Sequence, residues 1–172
     1  IIMAIISIYP LLDIIKISLR PASNLFSTDL SLIPKNATLN NYYTALFVRP
    51  YLTWMKNSLI IAVSSTALSI LIAVLAGYAF SRFRFKGRNT GLLFMLLTQI
   101  FPAPMLLLPT YILLRYFGLL NNYIGGIIPY IALTVPFSVW VLKGYFDTIP
   151  QSIEESAYID GANFFQVLNK IM

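Results

Sequence analysis

The chain has 172 residues, of which 58% are hydrophobic and 10% are charged; its net charge is +6, and it contains no histidine and no cysteine. Soluble domains carry about 25% charged residues, so the composition predicts an integral membrane protein. The missing residue types exclude disulfides, imidazole bases, thiol nucleophiles and the usual zinc ligands, and we therefore expect neither an enzyme nor a metal site in this chain.

The chain opens with an apolar run over residues 1–12 that is too short to cross a hydrocarbon core of about 30 Å. Arg20 followed by Pro21 predicts a helix end, because the residue before proline avoids the helical region. We therefore expect residues 1–20 to be the end of a first spanning helix, in a chain that is a piece of a longer one. The next residues, 21–53, are turn-rich and predict an extracytoplasmic loop that ends in an aromatic interfacial belt.

A second spanning helix is predicted over residues 54–81, because no charged residue lies between Lys56 and Arg82. Small residues recur at every fourth position of this span, and such a stripe lets another helix approach closely. The stripe fits a seam in a translocation bundle or ordinary helix packing, and it consists of Ser65, Ser69, Ala73 and Gly77.

The loop over residues 82–90 holds four cations interleaved with two phenylalanines. Basic residues between two spans place a loop on the cytoplasmic side by the positive-inside rule. A nucleic-acid patch is the alternative interpretation of such a pattern, but membrane topology explains it better, and we expect no nucleic-acid partner. The residues concerned are Arg82, Phe83, Arg84, Phe85, Lys86 and Arg88.

Two more uncharged stretches follow, one from Arg88 to Arg115 and one from Arg115 to Lys143. Each is long enough to cross the membrane once. They predict a third span over residues 91–115 and a fourth over residues 123–142.

The topology then alternates across the membrane. The short turn at residues 116–122 is expected outside, and the last segment, residues 143–172, is expected in the cytoplasm. The N-terminal end of the chain is also expected on the cytoplasmic side.

The third and fourth spans contain prolines, each of which removes a helical hydrogen bond and so requires neighbours, water or a cavity to compensate. Broken helices at membrane depth often line a path, and four polar residues of the same spans are candidates for lining it. Ordinary hydrogen bonds between helices are the alternative role for these side chains. The prolines are Pro102, Pro104, Pro109, Pro129 and Pro136, and the candidates are Thr98, Gln99, Thr134 and Ser138.

The polar segment from Ser152 to Met172 predicts a helix, a tight turn and a second helix. Ser152 with Glu155 has the spacing of a capping box that would begin the first helix, and Gly161 supplies the left-handed residue that ends it. Asn163 with Gln166 three residues later predicts a second cap. We expect one apolar side, made of Ile153, Ala157, Phe164, Val167, Leu168 and Ile171, and a polar remainder for water or a partner, made of Glu154, Glu155, Asp160 and Lys170.

This segment resembles the cytoplasmic EAA loop of binding-protein-dependent ABC importer permeases. The match consists of Glu155-Ser156-Ala157, Asp160-Gly161 and Ile171 at the spacing of the motif, with Ser156 where the motif has alanine. In that family the loop forms a coupling helix that docks into a cleft of the ATPase subunit, and the resemblance implies this role here. An amphipathic helix lying on lipid is the alternative.

The resemblance covers most of the chain from Asn40 to Met172 and is greatest to the smaller permease of maltose and maltodextrin importers. It implies an all-α polytopic fold of about six transmembrane helices, of which about four are represented here, in a bacterial or archaeal cytoplasmic membrane. The implied partners are ABC ATPase subunits, a second permease subunit, an extracytoplasmic solute-binding protein and membrane lipid. No phosphate-binding loop ending in Gly-Lys-Ser/Thr is present, so we expect no cofactor in this chain, with ATP and Mg²⁺ bound by the ATPase.

The implied substrate is a carbohydrate of the malto-oligosaccharide kind, and other solutes such as glycerol phosphate or a polyol are alternatives. An ion-coupled secondary transporter would need carboxylates near the membrane midplane, and no acidic residue lies between Lys56 and Lys143. A membrane scaffold without transport activity is a further alternative.

Overall fold

The structure is a computed structural model that describes residues 2–21, 34 and 36–172, and its described part contains helices and no strand, which confirms the all-α prediction. Residues 22–33 and 35 of the predicted extracytoplasmic loop lie outside the described residues. The helices are α1 (Ile2–Ser18), α2 (Asn40–Tyr43), α3 (Tyr51–Arg82), α4 (Arg88–Thr98), α5 (Leu107–Tyr116), α6 (Tyr123–Asp147), α7 (Gln151–Ile159) and α8 (Phe164–Lys170). A π-helical turn, Thr44–Val48, follows α2, and a 3₁₀ turn, Ala103–Leu106, precedes α5.

The chain divides into two compact units, Ile1–Ser58 and Leu59–Met172. In the first unit, the side chain of Asn41 closes the end of α1. Its Nδ2 donates to the carbonyl oxygens of Ser18 at 2.9 Å and Arg20 at 2.7 Å. The last carbonyls of a helix have no partner within the helix, so this amide replaces the missing donors.

Two helices of the structure, α3 and α6, are long and apolar enough to cross a membrane. The bent pair of α4 and α5 is long and apolar enough only when its two parts are taken together, as a broken span or a re-entrant loop, with an angle of 94° between them. Pro102 and Pro104 lie at this break and cannot donate a backbone hydrogen bond, which explains why the helix stops there. By contrast, Pro129 and Pro136 lie inside α6 without ending it.

The small-residue stripe of α3 packs against α6, as its spacing predicts, and all four of its residues are buried. A Cβ atom on Gly77 would lie 3.1 Å from the Cβ of Leu142, so the two backbones are close at this point. The hydroxyl of Ser69 lies 3.2 Å from that of Thr134 on α6. Close backbone approach and hydrogen bonds between hydroxyls are the usual means of helix association in a bilayer.

The C-terminal hairpin consists of α7, a turn and α8. Gly161 has a φ of 85°, and its N–H donates to the Tyr158 carbonyl at 3.1 Å while that of Ala162 donates to the Ala157 carbonyl at 2.9 Å. These two bonds form a Schellman motif, which confirms Gly161 as the residue that ends the helix.

The start of α8 was predicted correctly and the start of α7 was not. Asn163 Oδ1 accepts from the Gln166 N–H at 2.9 Å, and Gln166 Oε1 accepts from the Asn163 N–H at 2.8 Å, which completes a capping box. The predicted box of Ser152 and Glu155 is wrong, because α7 already begins at Gln151, after Pro150. Ser152 therefore lies inside the first turn of α7 and not before it.

Candidate functional site

A buried ion pair attaches the hairpin to the end of α3. Glu154, in the first turn of α7, is only 4% exposed. Its Oε1 accepts from both Nε and Nη2 of Arg82, and its Oε2 accepts from the Tyr78 hydroxyl at 3.0 Å. A buried carboxylate is tolerated only where a partner charge and further hydrogen bonds replace water, and both are present here.

The prediction that Glu154 faces water or a partner protein is therefore wrong. The physical reason is the last residue of α3: the Arg82 side chain is itself only 8% exposed and needs a counter-charge. The buried carboxylate of Glu154 provides that counter-charge.

The same arginine extends the contact to the end of α6. Arg82 Nη2 donates to the Ile149 carbonyl at 3.0 Å, and its Nη1 donates to the Ser81 hydroxyl at 3.0 Å. Ser81 donates in turn to Asp147 Oδ1 at 2.7 Å, and Lys143 Nζ lies 2.5 Å from Asp147 Oδ2. We call the network of Tyr78, Ser81, Arg82, Asp147 and Glu154 the anchor, because it joins α3, α6 and α7.

Apolar contacts surround the anchor. The ring of Tyr78 lies edge-on against Phe164 of α8 at a centroid distance of 5.2 Å and against Phe146 of α6 at 6.3 Å. Val167, on the same side of α8, is fully buried. These contacts place α8, as well as α7, against the two long helices.

The predicted apolar side of the hairpin is only partly correct. Val167 is buried, and four others of the six residues are partly buried, but Ile153 is 48% exposed. The structure also leaves two large apolar side chains on the outside, Ile159 at 86% exposure and Phe165 at 73%. The apolar side predicted from the sequence included neither residue.

The residues predicted to couple this chain to an ATPase lie on the outer side of the hairpin. Glu155, Ser156, Asp160 and Gly161 are exposed, while Ala157 and Ile171 are partly buried. Four of the six share one concavity of about 360 Å³, which we call the groove and which is lined by Ala157, Asp160, Gly161, Ala162, Gln166, Lys170 and Ile171. Their role in coupling stays a prediction.

The four candidate path residues do not form one surface. Thr98 and Gln99 line a cavity of about 590 Å³ between the bent pair and α6, and Gln99 Nε2 donates to the Leu133 carbonyl at 3.3 Å. Thr134 instead contacts Ser69 of α3, and Ser138 is half-buried on α6. The path assignment stays a prediction, and Thr98 with Gln99 are the two residues that share a cavity.

The anchor residues of α3 and α6 were missed by the sequence analysis. Arg82 was interpreted only as a topological charge at the end of a span, and Tyr78 and Asp147 received no role. The available signal was the order of charges: an arginine that closes one span and an acidic residue after another span lie on the same predicted side of the membrane. Such charges can meet even when many residues separate them.

Comparison with known proteins assigns the chain to a family. Residues 69–172 match the family described as the binding-protein-dependent transport system inner membrane component. The chain is 39% identical to the galactooligosaccharides transport system permease protein of Bacillus subtilis, with 96% of this chain and 60% of that protein covered. It is 36% identical to the maltodextrin transport system permease protein of Bacillus subtilis, with 99% and 60% covered.

A third relative, the sulfoquinovosyl glycerol transport system permease protein of Agrobacterium fabrum, is 34% identical, with 96% of this chain and 58% of that protein covered. The chain thus spans about 60% of the length of these relatives. The family match covers three of the four stripe residues of α3, the anchor and the groove, and it agrees with the apolar helices α3 and α6. The chain is therefore a multi-pass membrane protein that belongs to the family of inner membrane components of binding-protein-dependent transport systems.

Proposed function

We propose that this chain is part of a permease subunit of an ATP-driven ABC importer, and that the groove of the C-terminal hairpin is where an ATPase subunit docks. The observation that carries the proposal is the two-sided character of the hairpin. Its inner side is occupied by the anchor, whereas the motif residues Ala157 and Gly161 line an open concavity and the motif residue Glu155 is exposed.

The groove has the chemistry of a contact surface for a protein. Ala157 and Gly161 carry small or no side chains, so a partner backbone can approach closely. Asp160 and Lys170 place one charge of each sign at the concavity. Glu155 adds an exposed carboxylate on the neighbouring turn, free to receive a charge-assisted hydrogen bond from a partner.

The anchor gives this docking a mechanical consequence. The hairpin follows α6 by only a few residues, and it is also bonded to α3 through Glu154 and Arg82. A displacement of the hairpin by an ATPase subunit would therefore move the ends of α3 and α6 together. In this proposal, the ATPase pair closes when it binds ATP and displaces the hairpin through its contact with the groove. The anchor then reorients the spanning helices.

The proposed substrate is a carbohydrate, most specifically an oligosaccharide. Two of the relatives carry galactooligosaccharides and maltodextrin in their names, and a third carries sulfoquinovosyl glycerol. This range supports a sugar-containing solute and keeps a smaller glycosylated polyol as the alternative. Thr98 and Gln99, which share the cavity beside the bent pair, are the residues of this chain that we propose to face the solute path.

The partners follow from the same proposal. An ATPase pair binds ATP and Mg²⁺, a second permease subunit completes the pathway, and an extracytoplasmic binding protein delivers the solute. The hairpin and the loop after α3 lie on the cytoplasmic side of a bacterial or archaeal cytoplasmic membrane. This orientation brings the groove to the side of the membrane where ATP is available.

A cysteine crosslink tests the docking directly. In a cysteine-free version of the complete protein, Ala157→Cys is co-expressed with the candidate ATPase carrying one cysteine in its docking cleft. The matched control is Asn169→Cys, because Asn169 is on the same hairpin but lines a different concavity, next to Tyr145 and Phe165. We expect a crosslink from position 157 whose yield changes with ATP, and at most a trace from position 169.

The opposite result would reject the docking. If an assembled complex gives equal crosslinking at both positions, or none at position 157, the groove is not the contact surface. The exposed apolar residues Ile159 and Phe165 would then favour a hairpin that lies on lipid.

A further inference from the structure

The loop between α3 and α4 forms a second concavity, separate from the groove and the anchor. It has a volume of about 520 Å³ and brings three cations onto one surface: its lining consists of Arg84, Phe85, Lys86, Gly87, Arg88, Asn89 and Thr90. Among the described residues, Arg84, Lys86 and Arg88 form no ion pair with a carboxylate. Three positive charges that form no ion pair, gathered on one concave surface, indicate a site for an anion.

The backbone at this concavity also offers donors. Gly87 precedes α4 and has no side chain to cap it, so no side-chain acceptor takes up the first N–H groups of the helix. In the described part of the chain, the N–H groups of Asn89 and Thr90 have no hydrogen-bond partner. Free N–H groups at the positive end of a helix dipole favour a bound phosphate or carboxylate.

An unsatisfied donor of Arg88 is an independent observation that points the same way. Its Nε is buried and has no hydrogen-bond partner in the described structure. Asp147 interacts electrostatically with Arg88, but its carboxylate oxygens contact Ser81 at 2.7 Å and Lys143 at 2.5 Å. Arg88 is partly exposed, and its buried Nε has no acceptor among the described residues, whereas a buried polar atom normally has one.

The surroundings of the concavity indicate what kind of anion it takes. The loop begins where α3, a candidate membrane span, ends at Arg82. Phe83 and Phe85 alternate with the cations and are 58% and 47% exposed. Exposed aromatic rings beside cations, at the end of a spanning helix, are typical of the boundary between lipid headgroups and acyl chains.

We propose that Arg84, Lys86, Arg88 and the free N–H groups of Asn89 and Thr90 bind the phosphate of an anionic phospholipid, with Phe83 and Phe85 against its acyl chains. The site is distinct from the docking groove and does not depend on transport. It would tie the first residues of α4 to the membrane surface, next to the anchor.

Lipid retention measured by native mass spectrometry tests this proposal. The complete protein is released from nanodiscs of phosphatidylglycerol mixed with phosphatidylcholine, and the bound lipids are counted. The test variant is Arg84→Gln/Lys86→Gln/Arg88→Gln. The matched control is Arg115→Gln, which removes an exposed cation at the end of α5, away from the concavity.

We expect the parent and the control to retain phosphatidylglycerol in preference to phosphatidylcholine, and the triple variant to lose this preference. Each cation near an anionic surface changes the affinity on the order of fivefold. The single variant Arg88→Gln, which keeps the other three cations of the loop to fix its topology, should therefore lose about fivefold. A cysteine at exposed Asn169, labelled from the cytoplasmic side, checks that each variant is correctly inserted.

Two results would overturn the proposal. Equal phosphatidylglycerol retention in the parent and in Arg88→Gln would show that the concavity does not select the lipid. Displacement of the lipid preference by millimolar inorganic phosphate, with phosphate bound equally well in pure phosphatidylcholine, would assign the site to a soluble anion instead.

Discussion

Two adjacent glutamates of α7 have opposite surroundings. Glu154 is 4% exposed and is bonded to Arg82 and Tyr78, whereas Glu155 is exposed and has no ion pair among the described residues. Neighbouring positions of a helix point about 100° apart, so one carboxylate faces the anchor and the next faces away from it. The comparison teaches that one short helix serves two tasks, attachment on one side and recognition on the other.

The largest expected effect is a difference in stability between variants of the two glutamates. Glu154→Gln leaves the Arg82 charge buried without its counter-charge, and removing one partner of a buried pair costs about 3–5 kcal/mol. Glu155→Gln, at an exposed site, should change the free energy of unfolding by less than about 0.5 kcal/mol. Hydrogen exchange of the α7 and α8 amides in the detergent-solubilised complete protein measures both values.

A double variant sharpens this prediction. Replacing both members of the pair, as in Arg82→Met/Glu154→Met, removes the uncompensated charge, and such replacements are often neutral or stabilising. We therefore expect the double variant to be more stable than Glu154→Gln alone. A double variant as unstable as the single one would mean that Glu154 acts through packing and not through its charge.

The next largest effect concerns the affinity for the ATPase subunit, to which we expect the exposed glutamate to contribute. Glu155→Gln should weaken association with the ATPase subunit by about 1.5–3 kcal/mol, the range of a hydrogen bond to a charged group. Titration of the purified ATPase onto nanodiscs that hold the complete permease measures this loss. If the affinity of Glu155→Gln equals that of the parent, the exposed carboxylate does not contact the ATPase.

The smallest expected effect concerns the N-terminal cap of α8 in the hairpin. Asn163→Ala removes the capping box of α8 and should cost about 1 kcal/mol. Ser152→Ala is the matched control, because Ser152 caps no helix in the structure and the substitution should be close to neutral. Thermal unfolding followed by circular dichroism compares the two variants. A larger loss in Ser152→Ala would restore the predicted cap of α7.

Local features of the hairpin were predictable from the sequence. The turn at Gly161 and the cap at Asn163 depend only on residues a few positions away, so spacing was sufficient. The predicted cap at Ser152 is wrong for a local reason too, because α7 begins at Gln151, directly after Pro150 and before the serine. Pro150 and the Ser152–Glu155 spacing predict different first residues for α7, and the sequence alone does not show which one is correct.

The anchor was not predictable in the same way. Arg82 and Glu154 are 72 positions apart, and a pattern of charges in each segment only indicates which residues prefer water. Their burial depends on how closely α3 approaches α6, which is set by Gly77 and its neighbours in three dimensions. The break near Pro102 was expected from proline chemistry, but the 94° angle at that break depends on packing.

The measurement that tests the central claim most directly compares Glu154→Gln and Glu155→Gln in the reconstituted importer. Each variant, combined with Ala157→Cys, is assayed for crosslinking to the ATPase and for ATP-driven uptake of a maltodextrin. We expect Glu154→Gln to keep the crosslink but lose uptake, because the docked hairpin no longer moves α3, and Glu155→Gln to lose the crosslink itself. If Glu154→Gln takes up the sugar as fast as the parent, the anchor does not transmit the movement, and the proposed coupling through Arg82 is wrong.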